Sequence, residues 1–132
     1  MAPTFGNGKI CYIELPAIDV QASAAFYQAV FGWSVRMRGD GSAAFDDGVG
    51  EVSGIWITTR TALDGEAAKT GPVIHIMVDD AEATIAKVAS HGGEIVQAIG
   101  KDAPEITAKF RDPGGNVLGI YQHGGRRRNK QV

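Results

Sequence analysis

The sequence predicts an α+β fold: paired βαβββ modules forming a concave eight-stranded mixed sheet, with the helices on its outer face. Three observations carry this expectation. Residues 9–58 and 72–122 repeat one another, most clearly where Phe45-Asp46-Asp47-Gly48-Val49-Gly50-Glu51-Val52-Ser53-Gly54-Ile55-Trp56 lies without a gap on Phe110-Arg111-Asp112-Pro113-Gly114-Gly115-Asn116-Val117-Leu118-Gly119-Ile120-Tyr121. Each half runs from a two-residue apolar alternation to a helical one and back. The 18 glycines fall mostly between those runs, where turns are needed. A unit used twice implies that neither half buries its apolar face alone, so a pocket is expected where the halves meet, lined by equivalent positions.

The first half opens with an alternating strand over residues 9–15, with Ile10, Tyr12 and Glu14 on one face and Cys11, Ile13 and Leu15 on the other. Pro16 ends it, because proline has no N–H for a ladder. Asp19 is a helix N-cap, and Ala22, Ala25, Phe26, Ala29 and Val30 form the apolar stripe. Gly32 stops the helix. Short strands are expected over 33–37, 42–45 and 52–58, separated by turns at Asp40-Gly41 and Asp47-Gly48. Residues 59–71 read as a polar linker between the halves.

The second half opens with an apolar strand over 73–78, interrupted only by His75. Asp79 followed by Glu82 is a capping-box variant, Ile85, Val88 and Ala89 supply the buried stripe, and Gly92-Gly93 ends the helix. Strands follow over 94–99, 106–111 and 117–122, with Asp112-Pro113-Gly114-Gly115 as the strongest turn signal of the chain. The whole reads as a single domain.

Charge and cysteine usage narrow the function classes. The net charge is −2, but Arg126, Arg127, Arg128 and Lys130 supply four of the 13 basic residues; the rest is 9 basic against 15 acidic, a body of −6. Such a body repels phosphate, and the basic tail at 124–132 lacks aromatic residues for stacking, so a nucleic-acid partner is not expected. No apolar run is long enough for a bilayer, and the first residues lack the pattern of a secretory signal. The only cysteine, Cys11, is expected to be a buried inert thiol, and a reducing cytoplasm fits.

Three cues together resemble the vicinal oxygen chelate superfamily, which includes glyoxalase I, extradiol dioxygenases and bleomycin-resistance proteins. They are Asp19-x-x-x-Ser23-x-x-Phe26-Tyr27-x-x-Val30-Phe31-Gly32-Trp33, then Val78-Asp79-Asp80 leading to His91-Gly92-Gly93, then Phe110-x-Asp112-Pro113-Gly114-Gly115-Asn116. Within the superfamily the chain is most similar to small bacterial proteins related to lactoylglutathione lyase. The resemblance implies paired βαβββ modules around a concave sheet, and a homodimer.

The resemblance also implies a metal centre with one ligand from each of four strands, usually His and Glu or Gln. The aligned positions are Tyr12, Gly54, Val73 and Gly119. A catalytic divalent ion needs about three protein ligands, and glycine and valine offer none, so no cofactor is expected. A divalent metal is the runner-up: a two-residue slip would promote Glu14 and His75, with Glu51 or a partner chain supplying another ligand.

Glu14 and His75 lie two residues beyond the first and third of those positions, on the same expected face. They are candidate catalytic residues for proton transfer; they could equally bind a polar ligand, or be satisfied polar groups in the cleft wall or dimer interface. Trp56 and Tyr121 are repeat equivalents, each two residues beyond a glycine, and are either candidate walls for a flat molecule or aromatic core packing. Tyr12 and Met77 are further candidate ligand-binding residues, with Trp33 either lining or packed under the first helix. Arg111 is a candidate partner for an anionic group, with Lys109 beside it. The expected function is small-molecule binding in the concave cleft without a metal. The alternatives are a lyase or isomerase using Glu14 and His75, metal-dependent if these are ligands, and an interaction module working through the dimer or the basic tail.

Overall fold

The computed structural model describes residues 3–63 and 71–123; residues 64–70 of the expected linker and the basic tail at 124–132 lie outside the described residues. The first module runs β1 (Tyr12–Pro16), α1 (Val20–Phe31), β2 (Ser34–Met37), β3 (Ala43–Asp46) and β4 (Ser53–Ile57). The second runs β5 (His75–Val78), α2 (Ala81–Ser90), β6 (Glu94–Gln97), β7 (Ile106–Arg111) and β8 (Val117–Gln122). The eight strands fall into two hydrogen-bonded sheets of four, ordered β1-β4-β3-β2 and β5-β8-β7-β6. In each the first strand pairs parallel with the last, and the other pairs are antiparallel. Among the described residues no helix is long and apolar enough to cross a membrane.

The caps explain where the helices start. Asp19 takes hydrogen bonds from the backbone N–H groups of Gln21 and Ala22, and Gly32 closes α1 in the left-handed conformation with φ 72°. In α2 the cap is Asp80, not Asp79: its Oδ1 accepts the Ala83 N–H at 3.1 Å, while the Gln122 Oε1 accepts the Ala81 N–H at 2.8 Å. A side chain from the last strand thus starts the second helix, which no local motif announces.

One core serves both modules. Trp33 stacks on Tyr27 and on Phe45, each with ring centroids 4.5 Å apart, Phe45 meets Trp56 at 4.7 Å, and Phe26 reaches across to Phe110 at 5.8 Å. Each such ring contributes about 1.5–3 kcal/mol on burial. Trp33 is thus packed under α1. Cys11 is exposed, contrary to the expected buried thiol; it precedes β1, and its carbonyl accepts the Ser53 N–H at 3.1 Å.

A polar clamp crosses the same boundary. Tyr27 donates its hydroxyl to the Asp112 Oδ2 at 2.8 Å. Asp112 also accepts from the N–H groups of Gly114 and Asn116 and from the Asn116 side-chain amide, which in turn donates to the Pro16 carbonyl at 2.7 Å. Burial, then the Asp112 charge, pushes the Tyr27 phenol well above its ordinary value. The turn of the second half is thereby fixed to α1 and β1 of the first.

Candidate functional site

The helices cover one face of each sheet; the candidate residues concern the other, open face. Which side chains reach it follows from strand register, since alternate residues point to opposite sides. In the first sheet Ile13, Gly54, Phe45 and Val35 align across the strands on the helix side. Tyr12 and Glu14, paired with Ser53 and Ile55, are on the open side. In the second sheet Phe110 pairs with Leu118 on the helix side, while His75, Gly119 and Lys109 form one row of the open side. Met77, Tyr121 and Thr107 form the next row.

The two halves differ here by one residue. Asp46 pairs with Ser53, whereas Arg111 pairs with Val117, so the β3–β4 hairpin is one residue longer than its counterpart. A one-residue shift turns every following side chain to the opposite face. The ungapped repeat therefore fails within β4, and two expectations change with it.

The first is the pairing of Trp56 with Tyr121. Trp56 is 1% exposed in the core and is not a wall of the cleft; Tyr121 is half-buried on the open face, its hydroxyl 3.4 Å from His123 Nδ1. The second is the equivalence of the glycines. Gly54 lies on the helix side, where a Cβ would strike the Phe45 ring and the Ile13 carbonyl, and Gly119 lies on the open side, where a Cβ would strike the His75 imidazole. Gly54 is bare for core packing, and Gly119 is bare beneath a histidine. The true counterpart of Gly119 is Ile55.

The same register makes Glu14, opposite Ile55, and His75, opposite Gly119, equivalent points of the two sheets. Both are exposed. Among the described residues they line different cavities. Glu14 lines a cavity of about 530 Å³ with Tyr12, Arg60, Leu63, Val73 and Val117. His75 and Met77 line another, of about 640 Å³. Met77 is 72% and Tyr12 49% exposed. Arg111 stands on the open face with its Nε 3.4 Å from the Glu94 carboxylate, a partly screened pair worth little.

The family's metal positions do not fit an ion. Register replaces Gly54 by Ile55 on the open face, so the four places carry a phenol, two aliphatic groups and a bare backbone. Among the described residues no group of three or more His, Cys, Asp and Glu could hold a metal. Arg60, Leu63 and Val117, which line the Glu14 cavity, were not expected from the sequence; they are ordinary residues of a connection and a strand, and only the fold gathers them.

Known proteins share this architecture. The chain is 29% identical over 134 residues to a glyoxylase-like domain-containing protein of Didymella fabae, covering 91% of this chain and 98% of that one. It is 24% identical over 139 residues to the anthracycline biosynthesis protein DnrV of Streptomyces peucetius, covering 91% of this chain and 49% of the relative, so it spans about half of that protein. The crystal structure of TnmS3, an antibiotic binding protein from Streptomyces sp. CB03234, shares the fold with a TM-score of 0.65 and 17% identity, over 90% of this chain and 98% of that one. Residues 9–120 match the family described as Glyoxalase/Bleomycin resistance protein/Dioxygenase superfamily, and with a match spanning both modules the chain belongs to that superfamily.

Proposed function

We propose that this chain binds a small apolar or aromatic molecule on its open face without a metal, and that a second copy of the chain closes the site. The observation that carries the reading is the floor at Gly119. There a bare backbone lies under the His75 ring, with Met77 and Tyr121 in the adjacent row and no ion-holding side chain at the family's four positions. Such a floor rewards a flat molecule through area removed from water, at about 25 cal/mol per Å², not through coordination. The exposed Met77 and Tyr12 on that face suit a self-complementary twofold interface. The acidic body favours a neutral or cationic ligand over an anionic one. The antibiotic-binding TnmS3 offers a precedent on the same fold.

Thermal melts against a panel of planar aromatic compounds test this. A binder should raise Tm in proportion to the logarithm of its concentration, by the equivalent of about 2.7 kcal/mol at 100 times Kd. The shift should persist in EDTA and shrink in Met77→Glu, which should also sediment as a monomer. No stabilisation by any compound, or a shift that EDTA abolishes, overturns the reading.

One observation favours a second reading, a lyase or isomerase with Glu14 and His75 as base and acid: the two exposed side chains occupy equivalent places, so a twofold pairing of copies would bring one from each chain to a common cleft. Turnover unchanged in both Glu14→Ala and His75→Ala would eliminate it.

A further inference from the structure

One row of the second sheet's open face runs Gln97, Lys109, Gly119, His75 across all four strands, and it holds no carboxylate. β7 lies between β6 and β8, so Lys109 rises from the interior of the sheet, where it is half-buried. The acidic groups bordering this face are already engaged. Glu94 is 3.4 Å from the Arg111 Nε, and Asp102 accepts the Thr107 hydroxyl at 2.6 Å. Glu14 and Asp46 belong to the open face of the other sheet. Among the described residues the Lys109 ammonium and the His75 imidazole have no ion pair and no side-chain hydrogen bond. In a chain with more acidic than basic residues, that leaves an interior cation available to a ligand.

Gly119 sets the span between the two. Neighbouring strands lie about 4.8 Å apart, so Lys109 and His75, on either side of β8, stand about 10 Å apart at the backbone. The His75 ring closes part of that span by leaning over Gly119, where a Cβ would strike its Cδ2 and Nε2. The flexible four-carbon stem of lysine reaches across the rest. An atom held above β8 thus meets an imidazole nitrogen on one side and an ammonium on the other.

We propose that Lys109 and His75 take the hydroxyl of a phenolic ligand between them and hold it as the phenolate. The inference rests on the open-face reading above and names the chemical class of that ligand. The phenol O–H bond breaks, its proton passes to solvent, and no other bond changes. A neutral phenol approaches the acidic body without repulsion. Once it is seated, the nearby Lys109 charge favours the ionised hydroxyl, and the imidazole N–H adds a hydrogen bond to the oxyanion. Met77 and Tyr121, in the next row, receive the ring. Arg111, the other cation of this face, is taken up by Glu94.

The probe is 4-nitrophenol, whose ionised form is yellow, and 4-nitroanisole is its counterpart without an ionisable hydroxyl. With the whole protein in excess, 4-nitrophenol should turn yellow at a pH at least about one unit lower than in buffer. Lys109→Arg should keep that shift, Lys109→Gln should abolish it, and His75→Gln should reduce it. Thermal melts with 4-nitroanisole test the floor without the hydroxyl. If neither compound binds, the open-face reading falls and this inference with it. If 4-nitroanisole binds while 4-nitrophenol does not, or 4-nitrophenol binds with no shift, this inference falls alone. A shift that survives Lys109→Gln overturns it too. Tighter binding of 4-nitrobenzoate than of 4-nitrophenol would show a carboxylate site instead and overturn the assignment of a phenol.

Discussion

Tyr27 and Asp112 illustrate how a sequence motif can be recognised and its purpose missed. Both residues belong to the cues that carry the family resemblance, yet neither motif says that they touch, because the contact spans 85 positions of the chain. Asp112 is 4% exposed and keeps three other hydrogen-bond donors if the phenol is lost. Tyr27→Phe should therefore cost about 1.5–3 kcal/mol, the range for a hydrogen bond to a charged group, read as a lower urea midpoint at unchanged slope. Its pH dependence has a definite sign. The folded state holds the Tyr27 proton more tightly than the unfolded chain, whose phenol titrates near 10.0. The contribution is complete below pH 10 and lost as pH rises beyond it. The stability gap between the wild type and Tyr27→Phe should thus narrow above pH 10. A gap that widened there would show the phenol ionising readily in the fold.

At the level of elements, most of the architecture was legible. The Asp19 cap and the Gly32 stop sit where periodicity placed them, and β7 and β8 have the expected bounds. Asp19→Ala should cost about 0.5–2 kcal/mol, since it orphans two N–H groups at the start of α1; chemical denaturation measures it, and no loss would deny the cap its role. What could not be read was the facing of β4. The repeat aligns Gly54 with Gly119 by letter, while hairpin length decides which side of the sheet each one meets. The letters show no gap because the extra residue is absorbed in the turn, where β4 simply begins later relative to β3. Trp56 was therefore assigned to a wall and belongs to the core. On the second-module side His75, Met77, Tyr121 and Arg111 lie on one face as simple alternation expects, because there the register follows it.

For the whole molecule, duplication does not mean autonomy. The core joins Phe26 to Phe110, and the clamp ties Pro16 to Asn116, so a fragment of residues 1–63 leaves Phe26 without Phe110 and Tyr27 without Asp112. That fragment alone should lack a cooperative thermal transition by circular dichroism, and adding residues 64–132 should restore one. A sharp transition in the isolated fragment would contradict the shared core. The longer β3–β4 hairpin has a last implication, for heredity. Val49 at its tip is exposed, so the wording of that loop can drift through many substitutions at small cost. Its number of codons cannot: removing one would exchange inside for outside along β4, expelling an indole into water and pulling Ile55 beneath the helix. Deletions there should be purged from a population far more strictly than spelling changes.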